Sequence, residues 1–490
     1  MASQPIVLLK RLLLTASLAT MVLAALVATD SIGAAPDTLT REALCWRMIL
    51  QTTEGRQGLV SSLWFAPLPT LLRWPLVVLL PLPWTGLPSR LVSLVSALAA
   101  LTVLWRVSTR WLPRAAASLL VLGTAAHPAV WTGALDGGDA ATLSFLALLF
   151  AASAVRWVLE DRLTHLVLMA LSAALLCLTR AEMILWTAAG LAFLTAHEWA
   201  APRLPGQRAA ILILGLLPWF YGVGLWVLGN WLIMGDALYF LRSLALLRPA
   251  GEALSTLSSD PFRHPLWGVP ILFSLLLGLA ALIRREGASF LPALMTPALL
   301  LVAALADAFG VLWDQAPFGL PALLLGMFAL ARSAALLPLR FRTPAALLAP
   351  FATLLLLILP APPIPNGWSG LAPETTDERQ AVLREIGAIL PKGPYVRVFV
   401  CGYDAFALLD GVTDERFRHA LDFDFAQAQQ DYEGHHLFLL VPRPEGRAAM
   451  ESIHWKFPGL FHAGFANTLY AGDWGRWRLF ELIHHPREEL

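Results

Sequence analysis

Carboxylates and arginines gather in one stretch of this chain, between a first apolar run ending near Val27 and a proline-rich apolar segment starting near Leu68. They are Asp30, Asp37, Arg41, Glu42 and Arg47. A carboxylate so placed can take a proton from an attacking hydroxyl or amine, and a guanidinium holds phosphate through its fork of donors. Asp37 follows Ala34-Ala35-Pro36 and precedes an expected helix from Thr38 to Gln51. There it either caps that helix, with Thr40 and Glu42 in the first turn, or serves as a general base facing the membrane surface. Asp30, Asp37 and Glu42 all stand as candidates for the base.

Three further constellations carry charge into apolar surroundings, where an ionisable group is expensive to keep. Asp136-Gly137-Gly138-Asp139 joins two apolar runs, and Asp139 is placed to cap the second. Thr179-Arg180-Ala181-Glu182 interrupts two more; Arg180 either pairs with Glu182 across a helix junction or holds a phosphate. The string from Asn230 to Phe240 contains the turn signal Gly235-Asp236, and Tyr239, Arg242 and Arg248 lie on an amphipathic stretch beyond it. Aromatic residues plus arginines there suit either an interfacial helix anchored by Trp231 and Tyr239 or a site for a polyprenyl phosphate.

The elements that must position these groups are membrane helices. Of the 490 residues, 57% are hydrophobic and only 14% are charged, far from the charge content of soluble domains. Mean hydropathy is +0.65. The apolar blocks predict about eleven spans, beginning near residues 12, 90, 115, 140, 163, 182, 209, 265, 288, 316 and 343. The run after Lys10-Arg11 resembles a signal peptide but is long enough for a retained first helix. The segment 68–87 is broken by Pro69, Pro75, Pro81 and Pro83, so it reads as one or two short helices lying along the interface. With the N-terminus cytoplasmic, every short inner loop then carries at least two arginines: Arg106, Arg110 and Arg114; Arg156 and Arg162; Arg203 and Arg208; Arg284 and Arg285; Arg340 and Arg342. The first loop (30–89) and the loop 230–264 fall on the outer face, together with Asp136, Asp139, Arg180, Glu182, Asp307 and Asp314.

Residues 1–362 therefore form the membrane domain. Beyond Pro360-Ala361-Pro362-Pro363-Ile364-Pro365, residues 366–490 read as a soluble, periplasmic α/β domain. Its expected elements are a helix at 376–390, strands at 395–401 and 436–441, and another strand near 477–483. A net charge of +1 gives no reason to expect a nucleic-acid partner. Of the three cysteines, Cys177 lies in an apolar run, and Cys45 and Cys401 could pair only if the first loop meets the C-terminal region. His435-His436 and His484-His485 lack ligand spacing, so no metal is indicated, and no Walker loop, HExxH or nucleophile elbow is present.

Taken in order, these pieces resemble the GT-C superfamily of membrane glycosyltransferases, particularly bacterial protein mannosyltransferases and the aminoarabinose transferase of lipid A. The matching residues are the acidic first loop leading to Ser61-Ser62-Leu63-Trp64-Phe65-Ala66-Pro67-Leu68-Pro69, the Asp136/Asp139 acids, Leu178-Thr179-Arg180-Ala181-Glu182, and Asn230-Trp231-Leu232-Ile233-Met234-Gly235-Asp236-Ala237-Leu238-Tyr239-Phe240. The resemblance implies inverting transfer of a sugar from a polyprenyl-phosphate donor to a glycan, lipid or protein acceptor at the outer face of the inner membrane. It would make Asp37 the base, with Glu42 as the other first-loop candidate, and Asp139 a second acid near the acceptor. Arg180 and Arg242 would hold the departing phosphate, and Asp136, Glu182, Asp236 and Tyr239 would lie around the substrate. Many members carry two adjacent acids in the first loop, whereas this chain reads Pro36-Asp37-Thr38. Two other readings are a non-catalytic subunit of the same fold that scaffolds a membrane complex, and a transporter. A transporter, however, breaks its helices near mid-membrane and does not gather its polar groups at one face.

Overall fold

A computed structural model describes Thr38, Arg41, Glu42, Leu44, Cys45, Met48, Arg56, Leu59 and Val60 of the first loop, then residues 66–79, 86–241, 265–284, 286–308 and 316–336. In the C-terminal part it describes 376–393, 395–401, 405–409, 412, 414–419, 436–444, 453–454, 457, 459–465 and 467–483. The spans expected near residues 12 and 343 lie outside the described residues, as do Asp30, Asp37 and Arg242. The chain divides into two compact units, 1–365 and 366–490.

The first unit is helical: α1 (Pro67–Leu79), α2 (Leu87–Trp111), α3 (Arg114–Ala126), α4 (Pro128–Leu135), α5 (Ala140–Glu160), α6 (Leu163–Cys177), α7 (Glu182–Ala200), α8 (Pro205–Met234), α9 (Pro265–Arg284), α10 (Phe290–Ala308) and α11 (Ala316–Leu336). From α2 to α11 each expected start among the described residues is met within a few residues. Among the described residues five helices are long and apolar enough to cross a membrane, and a sixth results if α3 and α4, bent by 60°, count as one span. The bend falls at His127-Pro128: proline drives the residue before it to extended backbone, and His127 Nδ1 then accepts from Ala129 N at 3.1 Å to start α4. The proline-rich segment forms the short helix α1. It turns Pro67, Pro69, Thr70, Arg73 and Val77 inward and leaves Leu71, Leu72, Trp74, Val78 and Leu79 exposed.

Core residues of α2, α5, α6 and α11 (Leu104, Leu143, Phe150, Met169, Phe328) pack into one cluster. On α8, Gly222 lets the helix come close to α6, since a Cβ there would stand 2.8 Å from the Ala174 carbonyl oxygen. Alternate helix ends gather, so the polar residues sort into two sets. Arg110 meets Glu160, Trp157 meets Glu198, and Arg332 lies over the Trp111 ring at one end. At the other, Ser93 reaches the Gly138 carbonyl and Thr38 that of Asp136.

The second unit is a five-stranded sheet with helices. In chain order it contains α12 (Thr376–Ile389), β1 (Val396–Val400), α13 (Ala405–Leu409), β2 (Phe417–His419), β3 (His436–Pro442), α14 (Leu460–Ala463), β4 (Thr468–Trp474) and β5 (Trp477–Leu482). The sheet order is β2-β1-β3-β5-β4. β1 is parallel to β2 and β3, with Val398 opposite Phe417 and Phe438, while β3–β5 and β5–β4 are antiparallel. Leu383, Ile386 and Leu390 cover one face through Val396, Val398 and Val400; Phe461 and Leu460 cover the other through Phe399, Leu439 and Phe480. The expected helix and three strands form. The sequence misses β2, which has three residues, and β4, an edge strand containing Gly472 and Asp473, poor strand formers both.

Candidate functional site

Two guanidiniums from the first loop and α1 close on one carboxylate where α4 gives way to α5. Arg41 Nη2 lies 2.7 Å from Asp139 Oδ2, and Arg73 Nη2 lies 2.9 Å from Asp139 Oδ1. All three side chains are almost wholly buried. Arg41 also donates to the Ala66 carbonyl at 3.0 Å and Thr70 Oγ1 at 3.1 Å, and Arg73 to the Gly137 carbonyl at 2.7 Å. The turn that aims Asp139 depends on Gly137, whose φ of +75° suits glycine and where a Cβ would stand 2.8 Å from Thr38 Cγ2. Asp136 Oδ1 steadies it by accepting from Gly138 N at 2.7 Å. Asp139 does occupy the residue before α5, but its side chain makes no capping bond there; the arginines take both oxygens. The expected helix cap is thus replaced by a buried ion network.

Glu42 sits beside this network in a different role. Its two carboxylate oxygens accept from Gly86 N and Ser89 N, each at 3.0 Å, so it caps α2 from a distant part of the chain. Burial raises its pKa above the ordinary glutamate value, against the lowering influence of those bonds and of Arg73. Burial also pushes the Asp139 carboxyl upward, but Arg41, Arg73 and Arg180 outweigh it and hold its pKa below the ordinary value. The Cys45 thiol, donating to the Thr70 carbonyl at 3.3 Å, is driven by burial to about 12 and is chemically inert. All three cysteines are free. No cluster of three metal-ligating side chains occurs among the described residues.

Arg180 is buried, pairs with Glu182 at 3.2 Å and stands over the Phe318 ring, 5.1 Å from its centroid. The helix-junction pair is therefore present, and Arg180 also acts electrostatically on Asp139. Its neighbourhood reaches the first loop, because Leu68 N donates to the Leu178 carbonyl at 2.9 Å. The Asn230 string is tied there too. Asn230 Nδ2 and Trp226 Nε1 both donate to the Val60 carbonyl, at 2.9 and 3.0 Å, and Phe240 stacks on Trp226. Asp236 folds its own turn, accepting from Leu238 N at 3.0 Å, and Tyr239 is half-buried beyond it. No bond joins Asp236 or Tyr239 to Asp139 among those described.

Sequence reasoning missed Arg73, Thr70 and Ser89. The signal for Arg73 was available: a single charge in an otherwise apolar helix needs a partner. Its Nε and Nη1 are buried and have no protein hydrogen-bond partner among the described residues.

No protein-family model matches the chain, and no curated protein matches it. Solved structures do. ArnT from Cupriavidus metallidurans in the apo state is 13% identical with a TM-score of 0.38, the match covering 97% of this chain and 98% of that one. ArnT from the same organism bound to undecaprenyl phosphate is 12% identical with a TM-score of 0.37, covering 98% of each chain. An Archaeoglobus fulgidus oligosaccharyltransferase, in complex with Zn and sulfate, is 12% identical with a TM-score of 0.38, covering 71% of this chain and 53% of that one.

Proposed function

We propose that this chain is a membrane glycosyltransferase that moves a sugar from a polyprenyl-phosphate donor to an acceptor, with inversion. The observation that supports it is the Arg41–Asp139–Arg73 network, in which two buried guanidinium nitrogens of Arg73 have no acceptor among the described residues. Two guanidiniums meet at Asp139, and Arg180 is near enough to act on the same carboxylate, so cationic donors gather where a departing phosphate needs them.

In this reading residues 1–362 are the catalytic membrane domain and 366–490 a periplasmic domain, in the bacterial inner membrane with the N-terminus cytoplasmic. A first-loop acid, Asp37 by the family resemblance, takes the acceptor's proton. The acceptor attacks the anomeric carbon, the carbon–oxygen bond to phosphate breaks, and Arg73, Arg180 and Arg242 hold the released polyprenyl phosphate. Asp139 acts as a positioning residue, since its low pKa and double pairing suit orienting arginines better than accepting protons. Asp136 holds the turn, while Glu182, Asp236 and Tyr239 shape the substrate's surroundings.

The test is mass spectrometry of lipids, glycans and glycoproteins from cells lacking this protein, with the wild-type or Asp37→Asn chain restored. One glycosylated species should disappear, return with wild type, and stay absent with Asp37→Asn. An unchanged profile refutes the enzyme, and full rescue by Asp37→Asn removes that residue from the mechanism.

One observation favours a second reading, a non-catalytic subunit of a membrane complex. Glu42 and Asp139, the described acids among the three expected catalytic ones, are both fully engaged, one as a helix cap and one between arginines. That reading expects rescue by Asp37→Asn and a stoichiometric partner after mild detergent extraction.

A further inference from the structure

We infer that the end of the helix bundle remote from Asp139 binds the phosphate headgroup of an anionic membrane lipid, at Arg110, Arg156 and Arg162. These three guanidiniums converge on one carboxylate. Arg110 Nη1 contacts Glu160 Oε1, Arg156 Nε lies 3.1 Å from the same oxygen, and Arg162 Nε lies 3.7 Å from Oε2. His165 Nε2 is 3.1 Å from Oε2 as well. Glu160 thus gathers three positive charges while neutralising one.

The neighbouring acids do not offset the surplus. Asp161 is taken by Arg203, with Nη2 to Oδ1 at 2.6 Å, and buried Glu198 is held by Arg203 and by Trp157 Nε1 at 3.0 Å. Arg106 and Arg114 are exposed nearby in sequence and have no carboxylate partner among the described residues. The cations are accessible, the Arg162 side chain being 71% exposed and that of Arg110 48%.

Leu159 and Leu163, the chain neighbours of Glu160 and Arg162, are exposed on either side of the α5–α6 turn and add apolar surface to it. A headgroup phosphate with acyl chains attached satisfies both features, whereas a soluble anion satisfies only the charge. Basic residues at a membrane surface attract anionic lipids strongly enough for the effect to be measured residue by residue.

The test uses the full chain purified in neutral detergent, with native mass spectrometry and thermal unfolding as readouts. The ligands are phosphatidylglycerol, phosphatidylcholine and inorganic phosphate. Phosphatidylglycerol should bind and stabilise in preference to phosphatidylcholine, and Arg162→Gln should weaken that binding roughly fivefold, with Arg110→Gln/Arg162→Gln weakening it further. Arg384→Gln, exposed on α12 of the other unit, should leave it unchanged. Should the double variant not fold, Arg162→Gln alone decides, because its contact with Glu160 is the longest of the three. Equal binding of phosphatidylcholine, or undiminished binding in Arg162→Gln, overturns the site. Inorganic phosphate stabilising as well as phosphatidylglycerol overturns the lipid assignment in favour of a soluble anion.

Discussion

The two ends of the helix bundle use the same groups in opposite ways. At one end a single carboxylate, Asp139, is almost wholly buried between Arg41 and Arg73. At the other a single carboxylate, Glu160, is about a quarter exposed and surrounded by three arginines, of which Arg162 is mostly in solvent. Water decides what each arrangement is worth. Charges removed from solvent cannot be left unpaired without a large penalty, whereas exposed pairs gain little from each other because solvent already screens them. The Asp139 network is accordingly a structural commitment, and the Glu160 cluster is a surface whose charge is free to act on something else.

The largest expected effect comes from breaking the buried side. Asp139→Asn removes the carboxylate that buried Arg41 and Arg73 share and should destabilise the protein by about 3–5 kcal/mol, measured by thermal unfolding in detergent. Replacing all three together, as Arg41→Met, Arg73→Met and Asp139→Leu, should recover most of that loss, since a buried ion network replaced by apolar side chains of similar volume is often neutral. If the triple variant is no better than Asp139→Asn, the loss has another cause than stranded charge.

A smaller effect tests the backbone that carries Asp139. Gly137→Ala forces a left-handed φ on a residue with a side chain and drives its Cβ against Thr38. The conformational penalty alone is about 1–2 kcal/mol, and the contact adds to it. The measurable consequence is a fall in unfolding temperature without change in the surface end, where binding of phosphatidylglycerol should be as in wild type.

Glu42 sharpens the comparison through pH. Its folded pKa lies above the ordinary glutamate value because burial favours the neutral form. The folded chain therefore binds the proton more tightly than the unfolded chain, so the stability contributed by Glu42 is full below the ordinary value and is lost as pH rises through the folded one. Asp139 has the opposite sign: its folded pKa is depressed, so its contribution is present above the ordinary aspartate value and lost as pH falls. Glu42→Gln should flatten the fall in stability just above the glutamate range and leave the acid-side loss intact. It should also lower stability by about 1–2 kcal/mol, because an amide presents only one acceptor oxygen to Gly86 N and Ser89 N. An unchanged pH profile would remove Glu42 as its source.

Much of the helical framework was legible because its punctuation is local. Pro113, the Asp136–Asp139 turn, Arg162 and the Arg180–Glu182 pair each end one apolar run and start another, and helices begin within a few residues of each. The site was only half legible. Arg180 with Glu182 and Asp139 stand out in the sequence as charges in apolar surroundings, but the partners of Asp139 lie 98 and 66 residues away. No spacing rule spans such distances. Arg73 was hidden by the prolines around it, which draw attention to the backbone of α1 and away from its one charge. Glu42 looked like a catalytic acid because its real partners are backbone amides, which sequence does not display.

The smallest expected effect lies at the exposed end and bears most directly on the contrast. Glu160→Gln removes the one carboxylate shared by Arg110, Arg156 and Arg162 and by His165. Simple counting of contacts ranks it as worse than Asp139→Asn, since three arginines lose their anion instead of two. Solvent reverses that ranking: the arginines can turn outward and hydrate, so the change in unfolding free energy should stay within about 1 kcal/mol. The same substitution raises the local positive charge by one, so any anionic lipid bound there should be retained or held more tightly in low salt, and released as salt screens the surface. Equal destabilisation by Glu160→Gln and Asp139→Asn would mean that burial does not separate the two ends.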